Sequence, residues 1–230
     1  MMATPSTPTP SRLQGFNMGF LGGYVDTLGF IALFGLFTAH VTGNFVLLGA
    51  SLADPANIPS LLKILAFPAF IIGIALARLL VASCERRGVD AHRPSYLLQL
   101  VFLIGFMVCG MLAEPVARDM SLLAMVAGLL GTVAMGAHSA ASKLLLSHLA
   151  PTSMMTGNVT QLVIDGVDQL RGAGDAGTRA RCSKFFWPVF GFAIGCAGAA
   201  FLFLAFGFVA LIVPVAILCL HLARPALDGA

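Results

Sequence analysis

From Phe185 to Leu222 the chain carries no Asp, Glu, Lys or Arg. As one α-helix rising about 1.5 Å per residue, this run would extend about 57 Å, nearly twice the roughly 30 Å hydrocarbon core of a bilayer. It predicts two membrane helices joined by a turn, with Gly207 in the turn region. Further runs long enough to span lie at Gly15–Phe37, Leu61–Ser83, Ser95–Ala113 and Met120–Leu146, which gives six spans. Composition agrees. The chain is 58% hydrophobic and 10% charged, whereas soluble domains carry about 25% charged residues. The expected class is an all-α integral membrane protein.

Residues 1–14, rich in Pro and Thr, read as a flexible tail, and 223–230 as a short C-terminal tail. Between them, 15–222 form a single transmembrane domain. Five cysteines without a Cys-x-x-Cys pair argue against a disulfide framework or zinc site. No cofactor or metal is expected. The basic residues are scattered in loops, so no nucleic-acid surface is expected either.

Two segments interrupt the apolar pattern, and each begins near the same tripeptide: Thr42-Gly43-Asn44 and Thr156-Gly157-Asn158. Either segment can be a crossing, giving eight helices in the membrane, or a short re-entrant or amphipathic helix. The positive-inside rule favours the second arrangement. With the N-terminus cytoplasmic and six crossings, Arg86, Arg87, Arg93, Lys143, Arg171, Arg179, Arg181, Lys184 and Arg224 all lie inside. Lys63 and Arg118 alone lie outside. Eight crossings would export the Arg86/Arg87/Arg93 loop. Both termini are then cytoplasmic.

Superposing the second tripeptide on the first brings Gly22 onto Gly136, Leu48 onto Leu162 and Asp54 onto Asp168. Further along, Phe70, Gly73 and Ala77 share their spacing with Phe192, Gly195 and Ala199. The pattern is that of two weak internal repeats, 15–113 and 120–222. Three crossings per repeat would invert the second copy, a plan common in transporters and channels.

A chain that breaks a helix at membrane depth must satisfy its backbone polar groups. Thr is a good N-cap, Gly permits tight turns, and Asn both donates and accepts. Both tripeptides therefore read as starts of half-helices, whose N–H groups suit an anion or a polar solute. Thr42, Gly43, Asn44, Thr156, Gly157 and Asn158 are pathway candidates, or mere caps. Asp26 sits mid-span on the face of Gly15, Gly19 and Gly22. It is a solute or proton contact, or a cap for a neighbouring helix. His40 flanks the first tripeptide, and His138 lies near the matching place in the second half. Pro68 and Pro188 are expected early in their helices.

The stretch from Gly22 to Ala53 resembles the opening of the YoaK-type bacterial family, a group of multi-pass membrane proteins defined as a domain of unknown function. The resemblance rests on Gly23-Tyr24-Val25-Asp26 followed by Phe37–Asn44. The family's second half carries Gly-x-Gln-Asn-Ala where this chain has Gly136-Ala137-His138-Ser139-Ala140. The resemblance implies a bacterial inner membrane and names no substrate.

The leading expectation is a small-solute transporter or channel with its pathway at the two Thr-Gly-Asn segments. The alternatives are a membrane-embedded enzyme using Asp26, His40 or His138, and a non-catalytic membrane partner protein. Hydrolase and metalloprotease motifs are absent, so an enzyme is not the expectation. The expected partners are the lipid bilayer and a small solute, with a homo-oligomer left open.

Overall fold

The structure, a computed structural model, describes residues 12–53, 61–117 and 121–223. The tail residues 1–11, Asp54, Arg118, Arg224 and the last residues lie outside that description. The described chain is helical throughout its regular structure: α1 (Arg12–Ala32), α2 (Val41–Leu52), α3 (Leu61–Arg87), α4 (His92–Ala113), α5 (Leu122–Leu145), α6 (Met155–Leu170), α7 (Ala176–Phe206), a 3-10 turn (Gly207–Leu211) and α8 (Ile212–Ala223).

By length and composition, α3, α4, α5 and the run Ala176–Ala223 can cross a membrane. That last run is broken as its length required. Gly207 takes φ 58°, where glycine is favoured, and its Phe208 N–H donates to Glu114 Oε1 at 2.9 Å. A Cβ on Gly207 would collide with that carboxylate. α1 is not among the four stretches, because its five-glycine pattern and Asp26 dilute its hydropathy. It is instead buried along most of its length at the centre of the bundle.

Glycine decides which helices meet. On α1, Gly19 and Gly23 lie against the carbonyls of Pro188 and Phe192, while on α7 Gly191 and Gly195 lie against the carbonyls of Phe16 and Phe20. The numbers rise together, so α1 and α7 run parallel. Gly73 of α3 lies against the carbonyl of Val133, and Gly136 of α5 against that of Phe70. α3 and α5 are therefore a second parallel pair of the same kind. Without side chains at these points the backbones approach closely, and packing supplies the association that water cannot supply in a bilayer.

The other directions follow from named contacts. α4 runs antiparallel to α5, since Phe106 covers Gly131 while His92 reaches Leu145 O. α8 runs antiparallel to α4: Phe208 covers Gly110 at one end, and Tyr96 meets His221 at the other. α1 opposes α5, because Leu33 and Leu36 pack on Gly128 whereas Gln14 bonds His148 beyond the end of α5.

Neither short helix carries the chain across the bundle. Leu33, Leu36 and Leu62 all surround Gly128, so the chain leaves α1 and starts α3 at one end. Lys184 reaches Ser147 O, so α5 ends and α7 begins at the opposite end. α2 and α6 occupy the excursions between. α2 packs on α3 through Phe45 and Phe67, and α6 packs on α7 through the Asp165–Arg181 ion pair.

Pro188 departs from expectation. It lies mid-helix, because Asp175 and Thr178 form a capping box that starts α7 at Ala176, well before the apolar run. Asp175 accepts from the Thr178 N–H and hydroxyl, and these bonds hold its carboxyl below the usual range.

Candidate functional site

A carboxylate in an apolar bundle has to be surrounded by donors. Asp26 is, and the donors come from the excursion between α1 and α2. Oδ1 accepts from Ala39 N–H at 2.6 Å and His40 N–H at 3.4 Å. The Thr38 hydroxyl lies 3.3 Å from Oδ1 and 3.4 Å from Val25 O. Oδ2 lies 2.8 Å from His40 Nδ1. The carboxylate is buried, while the His40 side chain keeps 33% exposure. The imidazole also stands edge-on to Phe192 of α7, centroids 5.3 Å apart. Residues 38–40 are thus drawn to mid-α1, and α2 sets out from there.

The excursion between α5 and α6 is drawn inward by different chemistry. Thr152 Oγ1 lies 2.9 Å from His138 Nε2 and 3.0 Å from Ser142 Oγ, and its N–H donates to Ser142 Oγ at 3.3 Å. Ser139 and Ser153 hydroxyls pair at 2.9 Å. Gln99 of α4 approaches His138 Nδ1 with its Nε2 at 3.2 Å and its Oε1 at 3.4 Å. Gln99, His138, Ser142 and Thr152 are all buried. The Thr152 carbonyl packs beside Gly22 of α1, one turn from Asp26, and Phe192 borders Gly22 as it borders His40. The two excursions therefore end close together on α1.

The tripeptides play a different part from the one their composition suggests. Thr42 and Thr156 cap nothing. α2 starts at Val41 and α6 at Met155, with His40 and Met154 at the cap positions and no side-chain cap bond. Thr42, Thr156 and Gly157 are exposed or open. Gly43 leaves room for the Phe37 ring. The asparagines do the anchoring. Asn44 Nδ2 donates to Phe37 O at 2.8 Å and Oδ1 accepts from Phe37 N–H at 2.9 Å. Asn158 Nδ2 donates to Pro151 O at 2.6 Å. Each bond reaches seven residues back. A proline at 151 has no N–H to return, so the second copy lacks the reciprocal bond. An amide, with donor and acceptor together, can clamp a backbone that no helix satisfies.

Asp26 and His40 are brought together; Asn44 anchors the same excursion, and His138 and Asn158 hold the other. Thr38, Thr152 and Gln99 are the members that sequence reading overlooked. Gln99 carried a signal, as the one amide in an apolar helix. Thr38 and Thr152 stand equally far before Asn44 and Asn158, so the tripeptide alignment pairs them too. Among the described residues no cluster of three His, Cys, Asp or Glu side chains is placed to hold a metal.

Residues 14–223 match the family described as "Protein of unknown function (DUF1275)". The chain is 27% identical over 143 residues to the UPF0700 transmembrane protein YoaK of Bacillus subtilis (strain 168), across 62% of this chain and 61% of that protein. The aligned part thus spans under two thirds of the relative's length. No solved structure matches.

Proposed function

The chain belongs to the DUF1275 family of membrane proteins, and within it we propose a small-solute transporter or channel of the bacterial inner membrane, its pathway lying where the two excursions converge on α1. The observation that carries this reading is the duplicated anchor. Asn44 and Asn158 each clamp a carbonyl seven residues back, and each excursion ends beside the same stretch of α1, at Asp26 and at Gly22. Discontinuous helices that start near the membrane centre are a recurrent way to expose backbone groups to a solute.

The same reading makes α1, α3, α4, α5, α7 and α8 the six crossings, with α2 and α6 re-entrant. It takes 15–113 and 120–222 as inverted repeats. The α1–α7 and α3–α5 glycine pairs support this, because each joins the first helix of one repeat to the second helix of the other. The opposition of α1 and α5 supports the inversion. Both termini then face the cytoplasm.

Within the pathway, Asp26 and the half-exposed His40 are the solute contacts, and His138 is their counterpart in the second half. Asn44 and Asn158 hold the excursions in place. Gly43 leaves room for the Phe37 ring at the start of α2, and Thr42, Thr156 and Gly157 lie exposed beside the two anchors.

The test is flux through the purified chain in proteoliposomes, followed by light scattering after challenge with glycerol, urea, or sodium and potassium salts. Wild-type vesicles should pass at least one of these faster than empty ones, and Asn44→Ala and Asn158→Ala should each abolish the difference. Equal flux in wild-type and empty vesicles, or undiminished flux in both variants, overturns the reading.

A further inference from the structure

The α4–α5 seam contains a polar file, and its Ser95 end anchors no excursion. Phe106 covers Gly131, Gln99 meets His138, and His92 Nε2 reaches Leu145 O at 3.3 Å. These contacts fix one antiparallel register. In that register Ser95 faces Ser142, one turn from Gln99 and His138. Ser95 is 2% exposed, and its hydroxyl has no hydrogen-bond partner among the described residues. A buried hydroxyl left bare is costly, and a water bonded to it and to a second hydroxyl opposite would remove that cost.

His138 is flanked in an unusual way. Its hydrogen-bond partners among the described residues, the Gln99 amide and the Thr152 hydroxyl, can each donate or accept. A rotation of the Gln99 amide and of the Thr152 hydroxyl satisfies the neutral ring in either tautomer, and the protonated ring as well. A purely packing histidine needs fixed partners only. The seam that the repeat would make its counterpart, between α1 and α8, is closed by apolar side chains such as Leu28, Leu211 and Leu218 around the bond from Tyr24 to Ala210 O. The polar file is therefore peculiar to one half.

We propose that a water bound between Ser95 and Ser142 connects His138, through the Ser142 and Thr152 hydroxyls, to the His92 end of the seam, and that His138 is a proton-binding site loaded along this file. The Thr152 hydroxyl, which donates to Ser142 Oγ, first turns to His138 Nε2; a proton arriving on the water then passes to Ser142, which releases its own to Thr152, and Thr152 releases its own in turn. The last is taken by Nε2, while Nδ1–H turns to Gln99 Oε1. Among the described residues the file includes no Asp, Glu, Lys or Arg before His92, which lies beyond Ser95 with its Nδ1 2.6 Å from Asp90. The inference rests on α4 and α5 spanning the membrane and does not require that a solute be carried.

The full chain, labelled with 15N-histidine and held in lipid nanodiscs, gives the readout. The His138 ring signal is identified by its loss in His138→Gln, and the exchange of its N–H with bulk water is measured. Ser95→Val, which puts a methyl group in place of the hydroxyl, should slow that exchange about tenfold, the effect of one hydrogen bond lost from the path. His148, outside the seam, should be unchanged. If Ser95→Val does not fold, Ser95→Ala is read in the same way, since it removes the oxygen and adds no bulk. An unchanged His138 rate in the variant overturns the proposal. The readout involves no flux, so its failure and the failure of the transporter reading are separate events.

Discussion

Asp26 and His40 stand 2.8 Å apart, and the same carboxylate takes the N–H of Ala39 at 2.6 Å. One side chain therefore fixes both a neighbouring ring and the backbone from which α2 starts. Its two tasks can be separated. Asp26→Asn keeps an oxygen for Ala39 and loses the charge, whereas Asp26→Ala abandons the whole loop. Charge-assisted hydrogen bonds contribute about 1.5–3 kcal/mol each, so Asp26→Ala should destabilise by about 3 kcal/mol or more and Asp26→Asn by clearly less. Thermal unfolding in one detergent reads the order. Equal losses would mean that the backbone bonds carry no weight.

Gly195 and Gly198 make a controlled pair on α7. A Cβ on Gly195 would strike the carbonyl of Phe20, while a Cβ on Gly198 meets nothing nearer than 3.8 Å. Gly195→Ala should split the α1–α7 contact and lower the yield of folded protein. Gly198→Ala should be neutral or gain up to about 1 kcal/mol from helix propensity. Size-exclusion profiles and melting temperatures of the two variants decide it.

Asp165 is buried on α6, and Arg181 of α7 holds it at 3.1 Å, with Gln161 also at 3.1 Å. Removing the arginine strands a buried carboxylate, which is worse than removing the charge itself. Arg181→Ala should therefore melt lower than Asp165→Asn, and proteolysis at the α6–α7 connection should rise with it. The reverse order would show that the pair has little influence on α6.

Asp175 couples the start of α7 to pH. Its folded carboxyl lies below the usual range because Thr178 donates to it. A depressed folded value contributes stability above the unfolded value of about 3.9, and that contribution is lost as pH falls through the folded value. Amide exchange in the first turn of α7 should rise on acidification below about pH 4. In Asp175→Asn, which keeps a cap but cannot titrate, this rise should be absent.

The crossing count has a direct check at Val89, exposed in the turn between α3 and α4. Six crossings with a cytoplasmic N-terminus place Val89→Cys inside. A membrane-impermeant maleimide should label it in inverted vesicles and not in intact cells. Labelling in intact cells would favour eight crossings.

The class of this protein was legible from charge alone. A run such as Phe185–Leu222 has one kind of stable environment, and its length forces a break, which Gly207 makes at a positive φ. The glycines at 19, 23, 73, 136, 191 and 195 were visible too, yet not their partners. Which backbone a glycine admits depends on how distant helices cross, and a sequence records the gap without recording what fills it. The same limit explains the tripeptides. Thr is a sound cap in isolation, but the chain here is turned by Asp26, His138 and the two asparagines, whose acceptors and donors are set by the fold. The sequence by itself determined that the polar residues must be paired inside an apolar bundle, because bare polar groups are costly there. Only the tertiary structure decided the pairs, because hydrogen bonds select on distance and direction, and those exist only once the helices have packed.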